Sequence, residues 1–302
     1  MSSNVILPPP FYDDLGKSAK DLFSKGYNYD TVKLNVTTKV PTGAKFEFGG
    51  TSYIDSGKVL GTFQATHRTP KYGINNTSRW ETNNMMRNET SCDLLKGAKF
   101  SIENTYSLIQ TSYDKTWKLR AQYGNNYLAL RTDADFKTST GYTPLISSSG
   151  ILQYGGYFLG LQSKFDTKDS KLKSLNMGVG YNSKEFAIHG KMSDQELYNC
   201  HIYHQVNPFL ETGVEFSCSK ENNDPKFGIC CKYTWDRDTA VRAKVNNSSQ
   251  IGLSFAHKLR DGITITLSAL INGKNFNQGG HKIGLGIEFE PYCSHASSCF
   301  VK

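Results

Sequence analysis

The sequence predicts an all-β body that carries one N-terminal amphipathic helix. Apolar residues recur at helical spacing only near the start, whereas from residue 31 to 290 they alternate with polar ones at period 2. That stretch makes 260 positions, and at roughly 13–14 residues per strand and turn it holds about 19 strands.

The helix comes first. Phe11, Leu15, Ala19, Leu22 and Phe23 form one helical face. Pro8–Pro10 precede it, Asp13 and Asp14 stand where the dipole favours acids, Lys25 lies in the last turn, and Gly26 supplies a left-handed end. This predicts one helix through to Gly26. In Thr31–Val40 the period changes: Val32, Leu34, Val36, Thr38 and Val40 alternate with Lys33, Asn35, Thr37 and Lys39.

The alternation then recurs. Ala44, Phe46 and Phe48 lead to Gly49-Gly50, which reads as a break before Val59–Ala65. Trp117, Leu119, Ala121 and Tyr123 alternate with Lys118, Arg120 and Gln122 before a Gly124-Asn125-Asn126 turn. The clearest late strands are Val241/Ala243/Val245, Ile251/Leu253/Phe255, Ile263/Ile265/Leu267/Ala269/Ile271 and Ile283/Leu285/Ile287/Phe289. No second helix of comparable pattern follows. A soluble sandwich would bury the apolar set, and a membrane barrel would turn it to lipid; both make period 2. Strand length, a modest 37% hydrophobic content, and 17 Tyr, 17 Phe and 3 Trp for interfacial girdles favour the barrel.

Composition bounds the partners. A net charge of +8 suits anions, whether nucleotides, nucleic acid or anionic lipid. Met1–Pro10 lacks a signal-peptide pattern, and no apolar run reaches the length of a spanning helix. The seven cysteines include no CxxC and no metal-ligand spacing, so reduced thiols are expected. No catalytic constellation is present, and the chain is expected not to be an enzyme and to need no metal or cofactor.

Three segments carry a resemblance. Phe11–Tyr27 closely resembles the N-terminal helix of the mitochondrial porins, the voltage-dependent anion channels. Tyr233–Phe255 resembles the eukaryotic porin signature around Lys244–Gly252, and Ile263–Glu290 resembles the family's last strands. The resemblance runs collinearly from about residue 11 to 290. It implies a 19-stranded transmembrane β-barrel of the mitochondrial outer membrane over residues 31–290. Thr31–Val40 and Lys282–Glu290 would be parallel neighbours, residues 1–30 would hold the helix inside the lumen, and 291–302 would form a tail. It also implies diffusion of adenine nucleotides, phosphate and small anionic metabolites through a voltage-dependent, anion-selective pore.

On that reading Lys17, Lys20, Asp21, Lys25, Lys33, Lys118 and Arg120 set lumen selectivity. Lys17 and Lys25 match helix positions linked to nucleotide contact. Gln250, Ile251 and Gly252 match wall positions linked to nicotinamide nucleotides, as do Ser268, Ala269, Leu270, Ile271 and Asn272. ATP or NAD would be weakly held permeants, with outer-membrane lipid as the surroundings and self-association as an option. Nucleic acid is not an implied partner. Gly284 and Gly286 read as a bend or a close backbone approach, since no helix follows them.

Two departures stand out. The family's glycine-rich hinge reads Gly26-Tyr27-Asn28-Tyr29-Asp30, which keeps only Gly26 as the hinge glycine and predicts a stiffer linker. Two residues before Trp80, many relatives carry a membrane-facing glutamate where this chain has Ser78, so roles of that acid do not transfer. In the tail, Cys293, His295 and Cys299 are read as an extension rather than a site. The alternatives are a protein-import barrel of the same membrane and a non-conducting barrel serving as scaffold or lipid handler.

Overall fold

The computed structural model describes residues 8–291, apart from 42, 109–114, 139–140, 142, 195–196, 221–224, 275 and 278. The tail residues Cys293, His295 and Cys299 lie outside the described residues. A 3-10 turn, Tyr12–Asp14, leads into helix α1, Lys17–Ser24. The first strands are β1 Thr31–Lys39, β2 Ala44–Tyr53, β3 Val59–Thr69, β4 Ile74–Glu81, β5 Met85–Leu95 and β6 Ala98–Ser107. Next come β7 Thr116–Gly124, β8 Leu128–Lys137, β9 Leu145–Tyr154, β10 Tyr157–Asp166, β11 Lys171–Asn182 and β12 Phe186–Ser193. The wall ends with β13 Leu197–Asn207, β14 Leu210–Ser219, β15 Lys226–Thr234, β16 Thr239–Asn246, β17 Gln250–Arg260, β18 Ile263–Asn272 and β19 Lys282–Phe289.

The strands form one closed 19-stranded barrel. Each pairs antiparallel with its successor, and β1 closes in parallel on β19, with Val32 opposite Leu285 and Val36 opposite Phe289. An odd number of up-and-down strands requires one parallel seam. Closure leaves no row of unpaired N–H and C=O groups facing lipid, where each would cost several kcal/mol.

Paired residues share a face, so the register sorts the whole wall. Between the register irregularities, no Asp, Glu, Lys or Arg stands on the outward face. Outward Val32, Phe48, Leu253 and Leu267 are 41%, 50%, 41% and 53% exposed, large apolar side chains turned away from the lumen. In water such a surface would be untenable; in hydrocarbon it is the wetting face. Among the described residues no helix is long and apolar enough to cross a membrane.

Burial is found on the other side of the wall, where the N-terminal segment lies. Tyr12 and Leu15 pack with Ala129, Ile151 and Phe158, while Leu22 and Phe23 pack with Cys230. Wall glycines make room for it. A Cβ on Gly160 would stand 3.1 Å from Tyr12, on Gly178 2.8 Å from Leu15, and on Gly228 3.0 Å from Phe23. Gly284 and Gly286 meet Asn28 in the same way, which is the close approach read from their pattern.

Three expectations need correction. The helix is not continuous: Gly16 adopts φ 78° between the 3-10 turn and α1, which bends the segment along the curved wall. Asp13 and Asp14 therefore sit in the 3-10 turn instead of at the start of α1. Gly49-Gly50 does not break the chain; both lie inside β2, paired with Asn35 and Leu34.

Candidate pore-lining site

The apolar face of α1 is held against β13, β14 and β15, which leaves its lysines toward the lumen. Lys17 pairs with Asp14 at 3.4 Å and Lys25 with Asp21 at 2.7 Å. Lys20 and Lys33 have no carboxylate within 4 Å among the described residues. Lys20 borders a cavity of about 470 Å³ with Ser24, Glu215, Lys244, Gln250 and Leu270. Lys33 lies on the inward face of β1, opposite Thr51 and Gly286.

Lys118 and Arg120 are not free cations. They sit opposite Asp135 and Asp133 across β7 and β8, at 3.3 and 3.0 Å. Asp133, 6% exposed, also takes Arg131 at 2.9 Å, and Arg131 reaches on to Asp13 at 2.9 Å. This network ties the 3-10 turn to the wall while cancelling much of the charge there. Arg131 belongs to the charged alternate face that the sequence marks, whereas Asp133 was not singled out, although the hairpin register would have placed it opposite Arg120.

The wall segments linked to nucleotides divide by face. Gln250, Gly252, Ser268, Leu270 and Asn272 point inward, whereas Ile251, Ala269 and Ile271 share the outward face with Leu253 and Leu267. A solute in the lumen cannot reach those three across the sheet. Ser268 is itself engaged, accepting the Asn28 N–H at 3.0 Å, and Gly252 is covered by the Tyr29 hydroxyl and the Lys244 side chain. Ser78 stands on the outward face with Trp80, where a hydroxyl is tolerated at far lower cost than a carboxylate.

The linker is fastened at each step. Arg242 donates to the Lys25 carbonyl at 3.2 Å, Lys244 to the Phe23 carbonyl at 2.7 Å, and Ser254 to the Gly26 carbonyl at 2.7 Å. Gly26 takes the left-handed φ of 84° that ends the helix. Asp30, at φ 57°, accepts from Lys282 at 3.3 Å and from the Asp55 N–H at 3.2 Å. Burial pushes the Tyr12 phenol up to about 12 and raises Tyr27 and Tyr29 too, so all three stay neutral against the wall.

A closed barrel with an apolar exterior, a charged interior and an internal basic helix defines a membrane-spanning pore. The profile of the eukaryotic porin family matches residues 8–284. The chain is 41% identical over 286 residues to a voltage-dependent anion-selective channel of Drosophila melanogaster, covering 94% of this chain and 100% of that one. It is 41% identical to a non-selective voltage-gated ion channel, VDAC2, of Xenopus laevis, covering 93% and 99%. The match to VDAC1 of Bos taurus, named likewise, is 38% over 93% and 99%. The chain belongs to the eukaryotic porin family.

Proposed function

We infer that this chain is a voltage-dependent, anion-selective channel through which nucleotides, phosphate and small anionic metabolites diffuse, and that its membrane is the mitochondrial outer membrane. One observation carries the reading: charge is confined to the inner face of a closed wall, and a basic helix lies along that face. Selectivity then follows from lumen potential rather than from a fitted site. Paired cations contribute little to that potential. Among the described residues, Lys20, Lys33 and Lys244 are inward cations without a salt bridge that contribute to it.

Weak nucleotide contact fits the 470 Å³ cavity, where Lys20 and Lys244 would meet phosphates and Gln250 would offer an amide. Lys17 and Lys25, each with an acid beside it, would add to approach rather than to holding. ATP or NAD would pass as permeants with a short residence. Of the inward half of the wall segments, Gln250 and Leu270 line this cavity, which supports the reading.

The test is the reversal potential in a salt gradient across a planar bilayer. Anion preference in the wild type, reduced by Lys20→Glu with Lys33→Glu, supports the assignment. A cation-side reversal in the wild type would overturn anion selectivity.

A further inference from the structure

Two histidines meet where the N-terminal segment bends, and conduction gives neither of them a task. His189 on β12 and His201 on β13 are directly opposed on the inner face, and they are 5% and 7% exposed. His189 Nδ1 accepts the Gly16 backbone N–H at 2.8 Å. Gly16 is the left-handed residue between the 3-10 turn and α1, where no side chain caps the helix. On its other side a Cβ would stand 2.6 Å from His201 Cδ2, so only glycine fits against that ring. The Phe158 ring packs 5.2 Å from His189. Among the described residues, neither His189 Nε2 nor His201 Nδ1 has a hydrogen-bond partner.

Acceptance at Nδ1 specifies a neutral His189 with its proton on Nε2. A second proton must go onto Nδ1, the atom that receives the Gly16 N–H. Protonation and this bond therefore exclude each other. The charged groups around the pair are Lys191 on β12 and Lys20 on α1, while Asp13 and Asp14 on the 3-10 turn lie near Lys191. Lys191 is itself turned to the segment, donating to the Tyr12 carbonyl at 3.0 Å. From β10 and β11 the facing residues are Phe158 and Gly180, which do not titrate. Glu215 on β14 stands directly opposite His201, so an imidazolium on His189 would face Lys191 and a second imidazole, with that carboxylate on the far side of His201.

We propose that His189 and His201 form a proton-operated latch on the N-terminal segment. At neutral pH His189 holds Gly16 to the wall; when the pair takes up protons the Gly16 bond is lost and the bend lifts from the wall. The latch acts on the segment whether or not the pore selects anions.

The experiment is amide hydrogen exchange of residues 15–20 in the full chain reconstituted in vesicles, with each rate normalised to intrinsic exchange at its pH. Between pH 7.5 and pH 4 the wild type should lose protection at Gly16 roughly tenfold or more. His189→Asn, whose amide oxygen can accept at the Nδ1 position but does not titrate, should stay protected at both pH values. Gly16→Ala should already be unprotected at pH 7.5. Unchanged wild-type protection, or equal loss in His189→Asn, would overturn the latch. Should the Asn variant not fold, imidazole nitrogen resonances of the wild type decide. Protonation of His189 in the same pH step as loss of Gly16 protection supports the latch, and separate steps refute it.

Discussion

Lys244 Nζ donates to the carbonyl of Phe23 at 2.7 Å and lies 4.2 Å from the centre of the Tyr27 ring, so one wall lysine fastens both the end of α1 and the start of the linker. A charge-assisted hydrogen bond contributes about 1.5–3 kcal/mol and a half-buried cation–π contact about 1 kcal/mol. Lys244→Met should therefore destabilise the folded chain by about 2 kcal/mol, and Lys244→Arg by much less. Thermal unfolding in detergent distinguishes them; equal stability of the Met variant and wild type would remove the role.

Asn28 and Asp30 make the linker an anchored element. The Asn28 N–H reaches Ser268, and the Asp30 carboxylate bridges Lys282 and the Asp55 amide. Asp30→Gly removes the carboxylate ties, and Asn28→Gly, which keeps the backbone N–H to Ser268, adds backbone freedom with it. The double variant should close at lower voltage than the wild type, with faster amide exchange over residues 26–30. Identical gating would show that linker stiffness has no part in closure.

Asp133 compensates Arg120, Arg131 and Lys118 at 3.0, 2.9 and 3.7 Å. Asp133→Asn leaves those cations without their shared acid, and the loss should be about 3 kcal/mol by the behaviour of broken buried pairs. It should also raise anion preference, because the lumen loses one negative charge and Arg120 its counter-charge, while Lys118 keeps Asp135 and Arg131 keeps Asp13. Unfolding midpoint and reversal potential read the two effects separately.

Acid should weaken the tie between the β2–β3 turn and the closing strand. The hydrogen bond from Lys282, then that of Asp30, holds the Asp55 carboxyl below its ordinary value of 3.8. A depressed carboxyl contributes stability that is complete above its unfolded pKa and is lost as pH falls through the lower folded value. The effect therefore appears below about pH 4 and is absent in Asp55→Asn. Exchange of the Ile54 and Asp55 amides across that range measures it.

The two faces predict opposite tolerances. Leu253→Arg turns a charge to lipid and should cost about 2–4 kcal/mol near the midplane. Gln64→Arg, on the lumen face of β3 beside Glu47, should be close to neutral. Denaturant unfolding in vesicles compares them, and similar losses at both sites would contradict the assigned faces.

Much of this wall was readable because the strongest strands keep clean alternation; Ile263–Ile271 and Ile283–Phe289 need little beyond period 2. β4, β5, β9, β10 and β12 stood out poorly. Their outward positions include Asn76, Ser78, Asn88, Ser148, Gly150, Ser163 and Gly190, which dilute the apolar signal although the closed register still carries them. The parallel seam followed from an odd strand count.

The site was less readable, since charge alone does not say who is paired. Lys118 and Arg120 looked free until the β7–β8 register set Asp135 and Asp133 opposite them. The run of named residues at 268–272 concealed that alternate members face opposite sides. The break at Gly16 was masked by continuous helical spacing, because Leu15 and Ala19 bury against the wall on either side of the bend.

The most direct test of the account is planar-bilayer recording of the purified, folded chain under a voltage ramp. Discrete, large conductance steps with a weak preference for anions, closing as voltage rises, are the predicted result. A bilayer that stays silent after insertion of folded protein would contradict it.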